Sequence, residues 1–224
     1  MILTAAQVVA VTLIGGLVAL DATSVGQFMI SRPFVAAALG GLVVGRPAQG
    51  IVAGVVLEAL HLAVLPVGAA KYPEGGPPAL AAGAVYAANF PPVAEAATLL
   101  VAVLVALALE MVGGRSVEAM RHWNVRFAGA PAEGLAPGRL ARRHLAPVAV
   151  DFCRGALLTL AAVLVLCWLL RAIDFSGFPE VAIGSILRLA VVGGLASALR
   201  LFGRGHWPLF VAGAAAGVVV AWLG

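Results

Sequence analysis

The nineteen consecutive residues Ile2–Leu20 carry no charged side chain, and long apolar runs recur along the rest of the chain. A helix needs about 20 mostly apolar residues to cross the hydrocarbon core of a bilayer, with roughly 17–25 tolerated. Ile2–Leu20 meets that length, as do Val93–Val112 and the stretches 147–170, 180–199 and 207–223. Composition agrees, because 62% of the residues are apolar and only 11% charged, against about 25% charged in an ordinary soluble chain. A water-soluble domain of 224 residues could not clothe its exterior with so few polar groups. Lipid is therefore the solvent for much of this surface. No Lys or Arg precedes Ile2–Leu20, as a cleavable secretory signal would require, so this segment reads as a transmembrane helix of the mature protein.

Between these runs the pattern breaks up. Phe34–Val44 is too short to span, and the turn Gly45-Arg46-Pro47-Ala48-Gln49-Gly50 separates it from Ile51–Val67. A short apolar piece, a Gly/Pro turn and a second piece carrying a carboxylate together read as a re-entrant helical hairpin. Such broken helices are tolerated at membrane depth only where protein or a water-filled cavity satisfies the backbone. Lys71 to Pro78 reads as a loop, and Ala79–Ala88 as a further short apolar piece cut by Asn89-Phe90-Pro91-Pro92. The expected fold is all-α: a polytopic membrane protein with several transmembrane helices and re-entrant helical hairpins, forming one domain over residues 1–224.

A polar stretch runs from Asp21 to Arg32, but residues 113–144 are the only soluble-looking segment, with Arg115, Arg121, Arg126, Arg139, Arg142 and Arg143. Short basic loops are retained on the cytoplasmic side, so this stretch reads as a basic cytoplasmic linker. Stretch 147–170 then exits, 180–199 returns, and the last helix ends outside; the side of the N-terminus stays open. The net charge of +4 is concentrated in that linker, which points to anionic headgroups or a soluble partner rather than nucleic acid. Cys153 and Cys167 have neither metal-ligand spacing nor a disulfide framework and read as small apolar packers.

Ionisable groups inside apolar segments are the candidates for function, since a charge in lipid is costly unless it faces the protein interior. Glu58 lies in the second arm of the hairpin, with His61 three residues on and so on the same helical face. A carboxylate there either accepts hydrogen bonds from sugar hydroxyls or pins two helices together. His61 is either a ligand contact or a satisfied structural donor; no third ligand or H-E-x-x-H pattern supports zinc. After the hairpin, Lys71 and Glu74 offer a donor and an acceptor, either at the mouth of a site or at headgroup level. Asp151 and Arg154 are spaced to pair on one helix, and Arg188 needs an acceptor or a polar cavity. The spacings Gly41-x-x-x-Gly45 and Gly50-x-x-x-Gly54 suit close helix packing. No P-loop or dinucleotide fingerprint calls for a cofactor.

An ordered set of motifs runs through the same region: Arg32-Pro33-Phe34-Val35-Ala36, Gly41-Leu42-Val43-Val44-Gly45, Gly50, Leu57-Glu58, and Gly68-Ala69-Ala70 with Pro73-Glu74. This series resembles the enzyme IIC permease of the mannose/fructose/sorbose phosphotransferase family over about 45 residues. The resemblance implies a multi-pass protein of the bacterial cytoplasmic membrane that binds a hexose together with an enzyme IID-like membrane subunit. It implies soluble IIA and IIB phosphoryl carriers that phosphorylate the sugar as it enters, re-entrant hairpins, and a trimer of IIC–IID pairs. The chain would not be an enzyme alone but a subunit of a group-translocating complex. Carried over residue by residue, Glu58 matches the helix acid and Glu74 the acid after Pro, and Gln27 aligns as a further sugar contact. Two positions depart from the pattern: Arg46 stands where the family has Asp, and Pro66 where many members have Asn. A non-transporting scaffold or sensor derived from such a permease, and an ion-coupled carrier using Glu58 and Arg188, are the competing functions.

Overall fold

The computed structural model describes residues 3–64, 72–90, 92, 94–128, 137–179, 181–202 and 204–223. The chain forms α1 (Ala5–Thr23), α2 (Pro33–Val43), α3 (Pro47–Leu60), α4 (Gly76–Ala88), α5 (Glu95–Ala128), α6 (Pro137–Ala172), α7 (Ile183–Phe202), a short 3₁₀ turn over Arg204–His206, and α8 (Trp207–Leu223). No strand occurs among the described residues. The fold is an all-helical membrane protein. Helices α1, α5 and α6 are long and apolar enough to cross a bilayer, while α7 and α8 carry shorter apolar stretches over Ile183–Leu199 and Trp207–Val220.

Local chemistry sets where these helices begin. Thr4 and Gln7 form a reciprocal capping box at the start of α1, satisfying amides that have no partner within the helix. Proline opens both α2 and α3, where its missing N–H costs nothing and its fixed φ suits the first helical turn. For the same reason Pro77 and Pro78 lie inside the first turn of α4, not in a loop as their composition suggests. The basic stretch differs from the sequence expectation as well. It is not a loop: α5 continues to Ala128 and α6 has begun by Pro137. Between Arg115 and Arg126 the sequence has neither Pro nor Gly, so nothing stops the helix at the membrane boundary. At 1.5 Å per residue, the 34 residues of α5 extend about 51 Å, well past a hydrocarbon core of about 30 Å. The two helices thus carry the arginines on a projecting arm, along which Arg126 sits 5.8 Å over the ring of exposed Trp123.

Packing divides into two tight groups. Helix α1 lies along α6, and α2 along both α3 and α4. In the second group backbones touch directly. An added Cβ at Gly40 would lie 2.1 Å from the Leu80 carbonyl oxygen, and one at Gly83 would lie 2.2 Å from that of Ala37. Gly41, Gly50 and Gly54 face the opposing hairpin arm, with an added Cβ 2.8, 2.4 and 2.8 Å from its backbone, whereas Gly45 has open space around it and a φ of +80°. Gly45 is therefore the turn residue and not part of a packing stripe, because a Cβ disfavours positive φ.

These contacts orient the hairpin. The N-terminus of α2, the C-terminus of α3 and the N-terminus of α4 meet where Gly75 and Gly76 approach His61, Pro33 and Ser31. That junction lies at the arm end, since Glu74 contacts Glu110 of α5 and Arg154 of α6. From it α2 and α3, of 11 and 14 residues, run only about 17 and 21 Å and return. This is the re-entrant hairpin expected from the sequence. At its far tip Arg46 donates from Nη1 to the carbonyls of Ala87, at 3.2 Å, and of Phe90. A cation there satisfies the exposed C-terminal carbonyls of α4 and complements its dipole, which gives Arg46 a structural reason.

Candidate functional site

Three groups of polar side chains converge on the junction at the arm end. At its open side stands Glu58, near the end of α3. Arg32 donates to Glu58 Oε1 from Nε at 2.8 Å and also from Nη2, and the Phe34 N–H donates to Oε2 at 3.2 Å. The carboxylate thereby caps the N-terminus of α2, a favourable place for negative charge. Its side chain keeps 24% exposure and that of Arg32 30%.

His61 follows three residues later and caps α3, turned inward and buried. Its Nδ1 lies 2.7 Å from the Leu57 carbonyl, which can only accept, so Nδ1 carries a hydrogen. Nε2 lies 2.8 Å from Oε2 of buried Glu110 on α5. The imidazole therefore joins the hairpin to a long span.

The third group is the most enclosed. Arg154 grips Glu74 in a two-pronged pair, Nη2 to Oε1 at 2.6 Å and Nη1 to Oε2, while Nε and Nη2 also donate to Asp151 Oδ1 at 3.0 and 2.8 Å. Nη1 further donates to Ser116 Oγ at 2.9 Å. The other Asp151 oxygen accepts from the hydroxyls of Thr23 and Ser24. Glu74 and Asp151 are both buried, and buried charges persist only when paired and hydrogen-bonded.

The residues singled out from sequence thus have different fates. Glu58, His61 and Glu74 are brought to one junction, and the Asp151–Arg154 pair forms. Both Glu74 oxygens are occupied by Arg154, so the side chain faces the protein interior rather than a mouth. Gln27 lies exposed with φ 58° on a loop tied down by buried Asp21, whose oxygens accept from the N–H groups of Phe28 at 2.5 Å and Ser31 at 2.9 Å. Among the described residues no hydrogen bond links Gln27 to Glu58. Lys71 and the preceding Gly68-Ala69-Ala70 element, with Pro66, lie outside the described residues. Arg188 is exposed on α7, not within a polar cavity, and Cys153 faces outward rather than packing inside.

Sequence reasoning missed Asp21, Glu110 and the roles of Arg32 and Arg154 toward Glu58 and Glu74. The acids were visible as charges in or beside apolar runs. Their partners, up to 80 positions away, were not.

With this arrangement in place, similarity to known proteins can be weighed. A family model described as the PTS system sorbose-specific IIC component matches residues 5–199. The chain belongs to that family. It is a sugar-permease membrane subunit of the phosphotransferase type. Solved structures share the fold of this IIC chain, among them the following two. One, described only as a membrane protein, is 21% identical, with a TM-score of 0.72 and coverage of 99% of this chain and 95% of the other. The second, a cryo-EM structure of the mannose transporter ManYZ in complex with microcin E492 (MceA), is 22% identical, with a TM-score of 0.64 and coverage of 100% and 96%. A search of curated proteins finds no match.

Proposed function

We propose that this IIC chain binds a hexose at the open side of the hairpin junction and passes it inward for coupled phosphorylation. The carrying observation is Glu58. It is a charged acceptor at the base of a re-entrant hairpin, joined to its neighbours yet still partly open. Sugar hydroxyls are suited to it, because hydrogen bonds to a charged group are stronger than neutral ones. Gln27 on the adjoining loop is assigned as a further sugar contact, and Lys71 as another on the strength of its place in the sequence alone. His61 and Glu74, held in buried pairs, support the site from behind.

The remaining assignments rest on the same reading. An enzyme IID-like membrane subunit covers the outward faces, in a trimer of IIC–IID pairs within the bacterial cytoplasmic membrane. Soluble IIA and IIB carriers deliver the phosphoryl group at the arm, whose arginines suit an acidic or phosphorylated surface. The competing scaffold and ion-coupled readings predict different behaviour. The test is to purify the tagged chain with its membrane partner, reconstitute it in vesicles, and supply sugar outside with phosphorylated IIB inside. Accumulation of sugar phosphate in the lumen is expected. Uptake of unmodified sugar driven by a proton gradient alone would favour the ion-coupled carrier, and failure to bind any sugar would favour the scaffold.

A further inference from the structure

Asp21 is a buried acid in the last turn of α1, and its place does not favour that helix. Negative charge at a helix C-terminus opposes the dipole, and a charge out of water persists only when it is hydrogen-bonded. Its partners lie in the loop that follows. Oδ1 accepts from the Phe28 N–H at 2.5 Å and Oδ2 from the Ser31 N–H at 2.9 Å. One amide precedes, and the other lies within, a turn in which the Arg32 N–H donates to the Met29 carbonyl at 3.1 Å. The Arg32 side chain then reaches Glu58.

This loop is not in a conformation that its residues adopt freely. Gly26, Gln27 and Met29 have φ of 94°, 58° and 67°. Glycine takes such angles without penalty, whereas other residues are uncommon there and stay only where their surroundings over-determine them. Side-chain packing does not supply that constraint, since Val25, Phe28 and Met29 are 53%, 79% and 62% exposed. Hydrogen bonds do. Thr23 and Ser24 tie the start of the loop to Asp151, Arg32 ties its end to Glu58, and Asp21 holds the part between.

We propose that Asp21 is a positioning residue of the sugar site. Its carboxylate holds the Met29–Arg32 turn so that Arg32 meets Glu58 and fixes the acceptor offered to a sugar. This rests on the permease reading above and deepens it. Asp21 itself does not touch the sugar, because it is buried and each of its oxygens already accepts a backbone N–H. Without the clamp the loop relaxes away from positive φ, and the Arg32–Glu58 arrangement is populated only part of the time. Apparent affinity falls with the fraction of protein in the competent state.

The test uses the complex purified with its membrane partner, titrated with mannose, fructose and sorbose, with assembly followed by gel filtration. Asp21→Asn keeps the size of the side chain and one acceptor oxygen, but turns an NH2 group toward one of the two amides. It should bind the parent's best sugar at least fivefold more weakly. Adding Met29→Gly, which removes the penalty for positive φ, should recover at least threefold of that loss. A glycine on an exposed loop replaces neither a carboxylate nor core packing, so this rescue separates positioning from direct contact and from general stability. Parent-like affinity in assembled Asp21→Asn, or a loss that Met29→Gly leaves untouched, would overturn the proposal. If Asp21→Asn does not assemble, Met29→Val decides, because a β-branched side chain resists positive φ at a position where it disturbs no packing. Binding at least threefold weaker is then expected, and parent-like binding would sink the idea. A parent that binds none of the three sugars removes the permease reading as well, whereas a parent that binds beside parent-like variants removes only the role of Asp21.

Discussion

Glu58, Glu74 and Glu110 are three acids in or beside apolar sequence, and each meets a different partner. Glu58 remains partly open to its surroundings, Glu110 meets an imidazole, and Glu74 is enclosed by a guanidinium. Glu58→Gln keeps the size of the side chain but removes its charge, so the hydrogen bonds from a sugar weaken. With roughly 1.5–3 kcal/mol for a hydrogen bond to a charged group, a tenfold to hundredfold loss of sugar affinity is expected, measured by titration of assembled complex. Unaltered binding would leave Glu58 with a purely structural role. Arg154→Ala acts through stability instead. It strips Glu74 and Asp151 of their shared cation inside the protein, and breaking a buried pair from one side costs about 3–5 kcal/mol. A large fall in the detergent melting temperature is expected, whereas Arg188→Ala, on the exposed side of α7, should leave it within a degree or two. Similar melting for both variants would mean that the Arg154 network contributes little. Sequence alone marked Glu58 and Glu74 as candidates, because charge in or beside apolar runs stands out, and passed over Glu110. It did not mark their roles, because a role depends on the partner, and Arg32, His61 and Arg154 each reach theirs across the fold.

At the scale of elements, length was the informative quantity. Eleven residues in α2 and fourteen in α3 cannot cross about 30 Å of hydrocarbon, and the hairpin was legible for that reason. The extent of α5 and α6 was not, because polarity was mistaken for irregularity in the arginine-rich stretch. A helix leaving the membrane becomes polar without ceasing to be a helix. What holds the hairpin against α4 is contact between backbones, and this yields a sharp expectation. Gly83→Val would drive side-chain atoms into the Ala37 backbone, already 2.2 Å from an ideal Cβ, and no rotamer relieves a backbone clash. The variant should fail to give a monodisperse peak in gel filtration. Gly138→Ala, with nothing within 4 Å, should run as the parent does, since Ala is the better helix former. A monodisperse Gly83→Val protein would show that the hairpin can move away from α4.

Across the whole molecule, one set of hydrogen bonds fixes a direction that composition left undecided. The hydroxyls of Thr23 and Ser24, at the end of α1, reach Asp151 in the first half of α6. The C-terminal end of α1 therefore lies at the arm end, and its N-terminus at the opposite end. We propose that the arginines on the projecting parts of α5 and α6 set the arm in the cytoplasm, as the positive-inside rule expects. On that proposal the N-terminus would be outside, as would the turn between α6 and α7. Single cysteines test this in a background lacking Cys153 and Cys167. Val125→Cys on the arm, which is 72% exposed, should resist a membrane-impermeant maleimide in intact cells and react only after permeabilisation. Ala5→Cys, exposed at the start of α1, and Gly177→Cys, with open space around it, should react without permeabilisation. Labelling of all three from the same side would break the link between α1 and α6 on which the orientation depends. Labelling of Val125→Cys alone in intact cells would invert the whole protein and place the arm, with its proposed docking surface, where no soluble carrier could reach it.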